Sequence, residues 1–282
     1  MLWQMLLVTS VFVSAISTIL QKNLLKGIKD PMGFAIFFQL CTALFIGIFA
    51  VSQGFAIPDI RPFWLNLLGS IVIYTLANIC IFQSLSKIDA SEFTILFVTR
   101  GAWTILSATV FLHEPFTFMQ IIGTLLVLGS VVLVTYRKQL ILNTGMLYAL
   151  GAGVLFGVGY VNDAYIVRFF RAPITYSFLD FVLPGIVLFF LYFKSVKKYA
   201  SIVLNPQKFA TFILLCLLYA IFGIAILLAY KYGGKATVIG AISQTATILT
   251  VLLAIVFLRE RDNITKKLVG SVIAVVGVIL LG

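Results

Sequence analysis

The stretch Phe111-Leu112-His113-Glu114 is answered, 146 residues later, by Phe257-Leu258-Arg259-Glu260. Each tetrapeptide ends a long apolar block. Each is followed by a short polar turn and another apolar block with two glycines, Gly123 and Gly129 in one case, Gly270 and Gly277 in the other. Ala90 and Ala236, at the same offset, stand before the blocks that the tetrapeptides close, and Pro31 and Pro173 open the second block of each half. The chain therefore reads as two copies of one unit, residues 1–140 and 141–282, each with five apolar blocks. Five is odd, so blocks that each cross a bilayer carry the second copy in from the opposite side, which makes an inverted repeat.

Composition says that the blocks do cross one. Of 282 residues, 62% are hydrophobic and only 10% charged, against roughly 25% charged in soluble domains. Many blocks have the ~20 residues that span a ~30 Å hydrocarbon core. Ten spans follow: 2–21, 33–51, 64–86, 91–112, 117–135, 145–167, 174–193, 209–230, 235–258 and 264–282. The expected fold is an all-α integral membrane protein, ten transmembrane helices in two inverted five-helix repeats, its backbone polar groups satisfied within the helices. The apolar residues 2–20 lack a basic leader and read as the first span rather than a signal peptide. The longest connection, 194–208, holds four lysines and reads as a loop.

A net charge of +11 would suggest a nucleic-acid partner in a soluble chain. Here the cations stand between the apolar blocks, where they meet lipid and set topology, so the expected partners are the bilayer and a small molecule. Fourteen of the 20 Lys and Arg lie in the odd-to-even connections, among them Lys22, Lys26, Lys29, Arg137, Lys138, Lys197, Lys198, Arg259 and Lys267. Five lie in the others, and Arg100 lies inside a span. The positive-inside rule then puts both termini outside. Cys41, Cys80 and Cys216 sit in apolar blocks without a CxxC pair, and His113 has no ligand-spaced neighbour, so neither disulfide, metal nor cofactor is expected. There is no Walker motif for direct use of ATP.

The repeated FLxE turn, each time followed by a glycine-containing span, resembles the EamA-type members of the drug/metabolite transporter superfamily, as do the five-plus-five spans and the length. The resemblance covers nearly the whole chain. It implies an alternating-access carrier of small metabolites with a central cavity, walled chiefly by the third, fourth, sixth, eighth and ninth spans. It also implies termini in the cytosol, opposite to the charge count.

Charge at membrane depth costs about 2.5–3.5 kcal/mol on insertion scales and marks function or pairing. Arg100 shares a helical face with Trp103, Thr104 and Ser107, a polar stripe whose guanidinium suits a carboxylate or phosphate; the alternative is an ion pair with Asp163 or Asp180. Asp163 follows Tyr160 and Asn162 in a glycine-rich run in which Gly153 and Gly157 permit close helix approach. It can meet a substrate amine or carry a coupling proton, and Asp180, two turns into the seventh span, is a second proton-coupling candidate. Neutral wall candidates are Tyr74 and Asn78 on the third span and Ser243 and Gln244 on the ninth, in a stripe with Gly240 and Thr247. Such residues also serve as helix–helix glue.

The reading is a secondary transporter of a small polar metabolite, an amino acid or a related amine or carboxylate compound, in the cell (inner or plasma) membrane. A cationic or quaternary-amine solute, held by Trp103 and tyrosines through cation–π contact, is the alternative, and a non-transporting membrane scaffold a further one. No nucleophile elbow, metal cluster or aqueous domain suggests an enzyme. Ten spans can enclose a cavity without a partner copy.

Overall fold

The computed structural model describes residues 2–28, 30–112, 117–137, 139–140, 142–203, 206–232, 242–243 and 245–281, with 112, 136–137, 139–140, 200–203, 207 and 230–231 described by backbone only. Twelve α-helices run in chain order within these residues: α1 (Leu2–Leu25), α2 (Met32–Ser52), α3 (Trp64–Lys87), α4 (Ala90–Phe97), α5 (Arg100–Leu112), α6 (Phe118–Thr135), α7 (Thr144–Ile166), α8 (Pro173–Leu191), α9 (Phe193–Val203), α10 (Pro206–Lys231), α11 (Ala246–Phe257) and α12 (Ile264–Leu281). Two two-residue strands, β1 (Tyr136–Arg137) and β2 (Gln139–Leu140), pair between the halves.

Local chemistry sets several of these boundaries. Pro31 stands at the N-cap of α2 and Pro173 at the first position of α8, where a missing N–H costs nothing. The Asn143 side chain accepts from the Met146 amide at 2.9 Å and caps α7. Gly54, at φ +82°, follows α2 in the left-handed conformation that glycine adopts freely.

Nine described segments are long and apolar enough to cross a membrane, α4 and α5 counting together as Ala90–Phe111. The twelve-residue α11 is apolar but shorter. Two features differ from the sequence reading. The fourth span is irregular: α4 ends at Phe97, and Val98 and Thr99 form a tightened helical turn, with the Thr99 amide bonded to the Leu96 carbonyl, before α5. The sixth span, by contrast, is one continuous helix from Thr144 to Ile166. The lysine-rich connection after α8 also contains a helix, α9, tied to the start of α2 by a 2.6 Å bond from the Ser195 hydroxyl to Asp30.

The helices pair mostly across the halves. α3 packs on α7, α1 on α10, α2 on α8 and α6 on α12. Exchanging the first five spans for the second five turns the first two of these pairs into each other and leaves the other two unchanged, the signature of a pseudo-two-fold axis between inverted repeats. Glycines allow the close approaches. A Cβ on Gly157 would overlap the Trp103 Cβ, and Gly123 and Gly277 face each other so closely that a Cβ on either would lie 2.6 or 2.9 Å from the other's carbonyl oxygen. The odd-to-even connections gather on one side, as bonds from Lys22 to the Leu85 and Ile88 carbonyls and from the Ala90 amide to Glu260 require. This side is called the basic face below.

Candidate functional site

α3 presents Asn66, Ser70, Tyr74 and Asn78 at four-residue spacing, one stripe along a helix. The stripe meets α7 and α8. Asn66 donates to the Asn162 amide oxygen at 2.7 Å, and Asn162 returns bonds to the Asn66 carbonyl at 2.8 Å and the Ser70 hydroxyl at 2.7 Å. Tyr74 and Tyr176 each donate to the Asp163 carboxylate, Tyr176 at 2.5 Å, and Ser70 lies 3.5 Å from it. Asp163 is thus a half-buried carboxylate satisfied by hydroxyls from both halves, and no cation lies within ion-pair distance of it among the described residues. It lies three residues before the end of α7, in the half of the bundle away from the basic face. Asn78 turns its amide back to the Tyr74 carbonyl at 2.7 Å.

Other polar atoms are buried without partners: Arg100 Nε, Asp180 Oδ1, Gln39 Oε1 and the hydroxyls of Thr42, Thr75 and Ser243. An unpaired buried polar atom costs about 1–3 kcal/mol, so such a set invites a ligand or water. Arg100 opens α5 directly after the Val98–Thr99 turn. It is ten residues beyond the start of α4, which at 1.5 Å per residue puts it ~15 Å below the basic face, near the bilayer midplane. Its guanidinium stacks over the Phe97 ring at 4.5 Å. Neither Asp163 nor Asp180 forms an ion pair with it.

Around Arg100 stands an aromatic wall. Phe97 meets Phe156 at 5.2 Å, and Phe156 meets Tyr74 at 5.2 Å and Tyr160 at 5.7 Å. Across the bundle, Tyr219 contacts Phe38 and Phe181 and lies within electrostatic reach of Arg100, Tyr160 and Asp180. Asp180 lies one turn beyond Tyr176 on α8 and within such reach of Asp163. Trp103 packs its Cβ on Gly157 and is 38% exposed as a residue, Tyr160 is 42% exposed, and Thr104 bonds back to the Arg100 carbonyl at 2.9 Å. Gln244 lies outside the described residues.

Two groups therefore separate. Tyr74, Asn162 and Asp163 are bonded to one another's helices, while Arg100, Asp180, Tyr160, Thr104 and Ser243 stand nearer open chemistry. Sequence reasoning passed over Asn66 and Ser70, although their four-residue spacing with Tyr74 and Asn78 was a usable signal. A recess of about 360 Å³ between α1 and α11, lined by Val8, Phe12, Ile242 and Leu249 among others, is apolar. Its Thr245 hydroxyl is used on the Ile242 carbonyl at 2.6 Å, so the recess offers a polar solute nothing.

The model of the EamA-like transporter family matches residues 1–136 and again 143–282, one match per half. The chain belongs to the EamA-like transporter family. It is accordingly a multi-pass membrane transporter of the drug/metabolite transporter superfamily. Among its relatives, an uncharacterized protein of Methanocaldococcus jannaschii, MJ1333.1, is 26% identical over 140 residues, half of this chain and 97% of that one. A protein of known crystal structure superposes with a TM-score of 0.62 at 12% identity, over 99% of this chain and 95% of its own, a likeness of fold.

Proposed function

We propose that this EamA-like transporter carries a small zwitterionic metabolite, an amino acid or a related amine-and-carboxylate compound, through the midplane of the bundle. The reading is carried by Arg100: a guanidinium just after an irregular turn in mid-span, with a buried Nε that has no partner and no carboxylate in ion-pair range among the described residues. A planar fork of donors is matched by a carboxylate. Asp180, whose Oδ1 is buried and unpartnered, is suited to the amine, a role that Asp163 fills less well because tyrosines already occupy it. Tyr160 and Thr104 line the approach. Asp163, bonded to Tyr176, and Asp180, one turn beyond Tyr176 on α8, remain the groups through which a proton would couple. The membrane is the cell membrane, and one chain suffices for the site.

A cationic solute is the second reading. It is favoured by the aromatic rings Tyr219, Phe181 and Phe38 beside Asp180, which offer cation–π faces. The two readings separate in a thermal-shift screen of the purified chain against amino acids, simple carboxylates and quaternary amines, because a ligand well above its Kd raises apparent stability. Amino acids are expected to stabilise the native chain and to lose this effect in Arg100→Ala and in Asp180→Asn. Stabilisation by quaternary amines that survives Arg100→Ala selects the second reading. Flux of the stabilising compound into proteoliposomes then tests carriage against a scaffold role.

A further inference from the structure

At the basic face, side chains of the second half grip the start of the Arg100-bearing span. Glu260 accepts the Ala90 amide at 2.8 Å, the Ser91 amide at 3.1 Å and the Ser91 hydroxyl. One carboxylate thereby satisfies two of the orphan amide donors of the first turn of α4 and lies at the positive end of its dipole. Lys267, whose side chain is 1% exposed, donates to Asp89 at 2.6 Å and lies 4.0 Å from Glu260. From the first half, Lys22 donates to the last carbonyls before the turn, Leu85 and Ile88, at 2.8 and 2.7 Å. It also feels the charges of Glu260, Asp89 and Glu92.

We propose that Glu260 and Lys267 form a clasp that closes the basic face of the transport path, and that its release lets α4 swing about the Val98–Thr99 turn and open Arg100 to that face. This rests on the carrier reading above. The clasp joins opposite halves, along the line where inverted repeats part. It encloses charge that would be better solvated in water, an arrangement suited to a switch. The segment it holds is short: eight residues, packed on α1, α3, α6, α7, α11 and α12. The less buried side of that segment carries Thr94 and Phe97 towards Arg100, so freeing its outer end uncovers a route to the guanidinium. The turn that presents Glu260 holds Arg259 at φ 57° and Asn263 at φ 53°, left-handed conformations that L side chains adopt at a cost and that the clasp helps to hold. The Asp163 ties lie in the other half of the bundle, so the guanidinium has a cross-half tie on either side of it.

The test is the labelling rate of Thr94→Cys in a chain whose three native cysteines are Ser, reconstituted in liposomes and exposed to an impermeant maleimide from one face at a time. Glu260→Gln and Lys267→Met are expected to speed labelling from the basic face by about tenfold, the population change that one charge-assisted hydrogen bond supports, and to leave the opposite face unchanged. Lys267→Arg, which keeps the charge and its donors between Asp89 and Glu260, is expected to keep labelling slow. Ser91→Ala, which removes one hydroxyl only, gives a milder increase and serves if either charge variant fails to fold. Unchanged labelling in folded variants, or an equal rise from both faces, overturns the clasp. A one-sided rise in a chain that moves no amino acid or amine leaves the clasp standing and overturns the substrate class proposed above.

Discussion

Asp163 draws its bonds from Tyr74, Tyr176 and Ser70 rather than from a cation, so removing a donor loosens a junction of three helices without stranding an opposite charge. Tyr74→Phe and Tyr176→Phe are each expected to cost about 1–3 kcal/mol, a fall of a few degrees in a thermal melt in detergent. Asp163→Ala should cost more than Asp163→Asn, which keeps an acceptor oxygen. A melt indifferent to all four would mean that the network does not hold the bundle. At this scale the sequence was partly legible. An arginine inside an apolar block stands out by its cost in the membrane, and Arg100 was visible for that reason. Which hydroxyls reach Asp163 was not, because Tyr74 is 89 residues away and periodicity says nothing of distant partners. The grip of Glu260 on residues 169 and 170 positions away was hidden in the same way.

Among the elements, α5 and α7 approach through a glycine. A Cβ on Gly157 would overlap Trp103 and come within 2.8 Å of the Thr104 amide nitrogen, whereas one on Gly129 would meet nothing within 4 Å. Gly157→Ala is expected to destabilise by about 1–3 kcal/mol through overpacking. Gly129→Ala, on an open helix face, should instead gain up to about 1 kcal/mol in helix propensity. Equal melting temperatures for the two variants would contradict the packing. The GxxxG step of Gly153 and Gly157 announced this close approach. The irregular turn between α4 and α5 had only Gly101 nearby as a hint, with no proline to mark it. α9 was legible in principle, since Phe193, Val196, Tyr199, Ala200 and Val203 recur at helical spacing; its lysines drew it towards a loop.

For the molecule as a whole, the repeat was readable because FLxE recurs beside equally spaced blocks, and the pairing of α3 with α7, α1 with α10, α2 with α8 and α6 with α12 is what such a repeat requires. Because these pairings cross between the halves, segments 1–140 and 141–282 expressed as separate chains are expected to co-purify when made together and to be unstable when made singly; recovery of either half alone as a monodisperse folded species would refute this. The same geometry sets a timetable for biogenesis. The second half contributes 142 residues, and a ribosome adding roughly 5–20 residues per second needs about 7–28 s to supply them. The partners of α3 come early in that interval, since Asn162, Asp163 and Tyr176 lie close to the start of the second half. For the first few seconds, about 2–7 s at the same rate, the newly inserted α3 shows Asn66, Ser70 and Tyr74 to lipid. The first half must wait in the bilayer with a wettable flank, and whatever shields that flank in the cell governs how much of the chain matures.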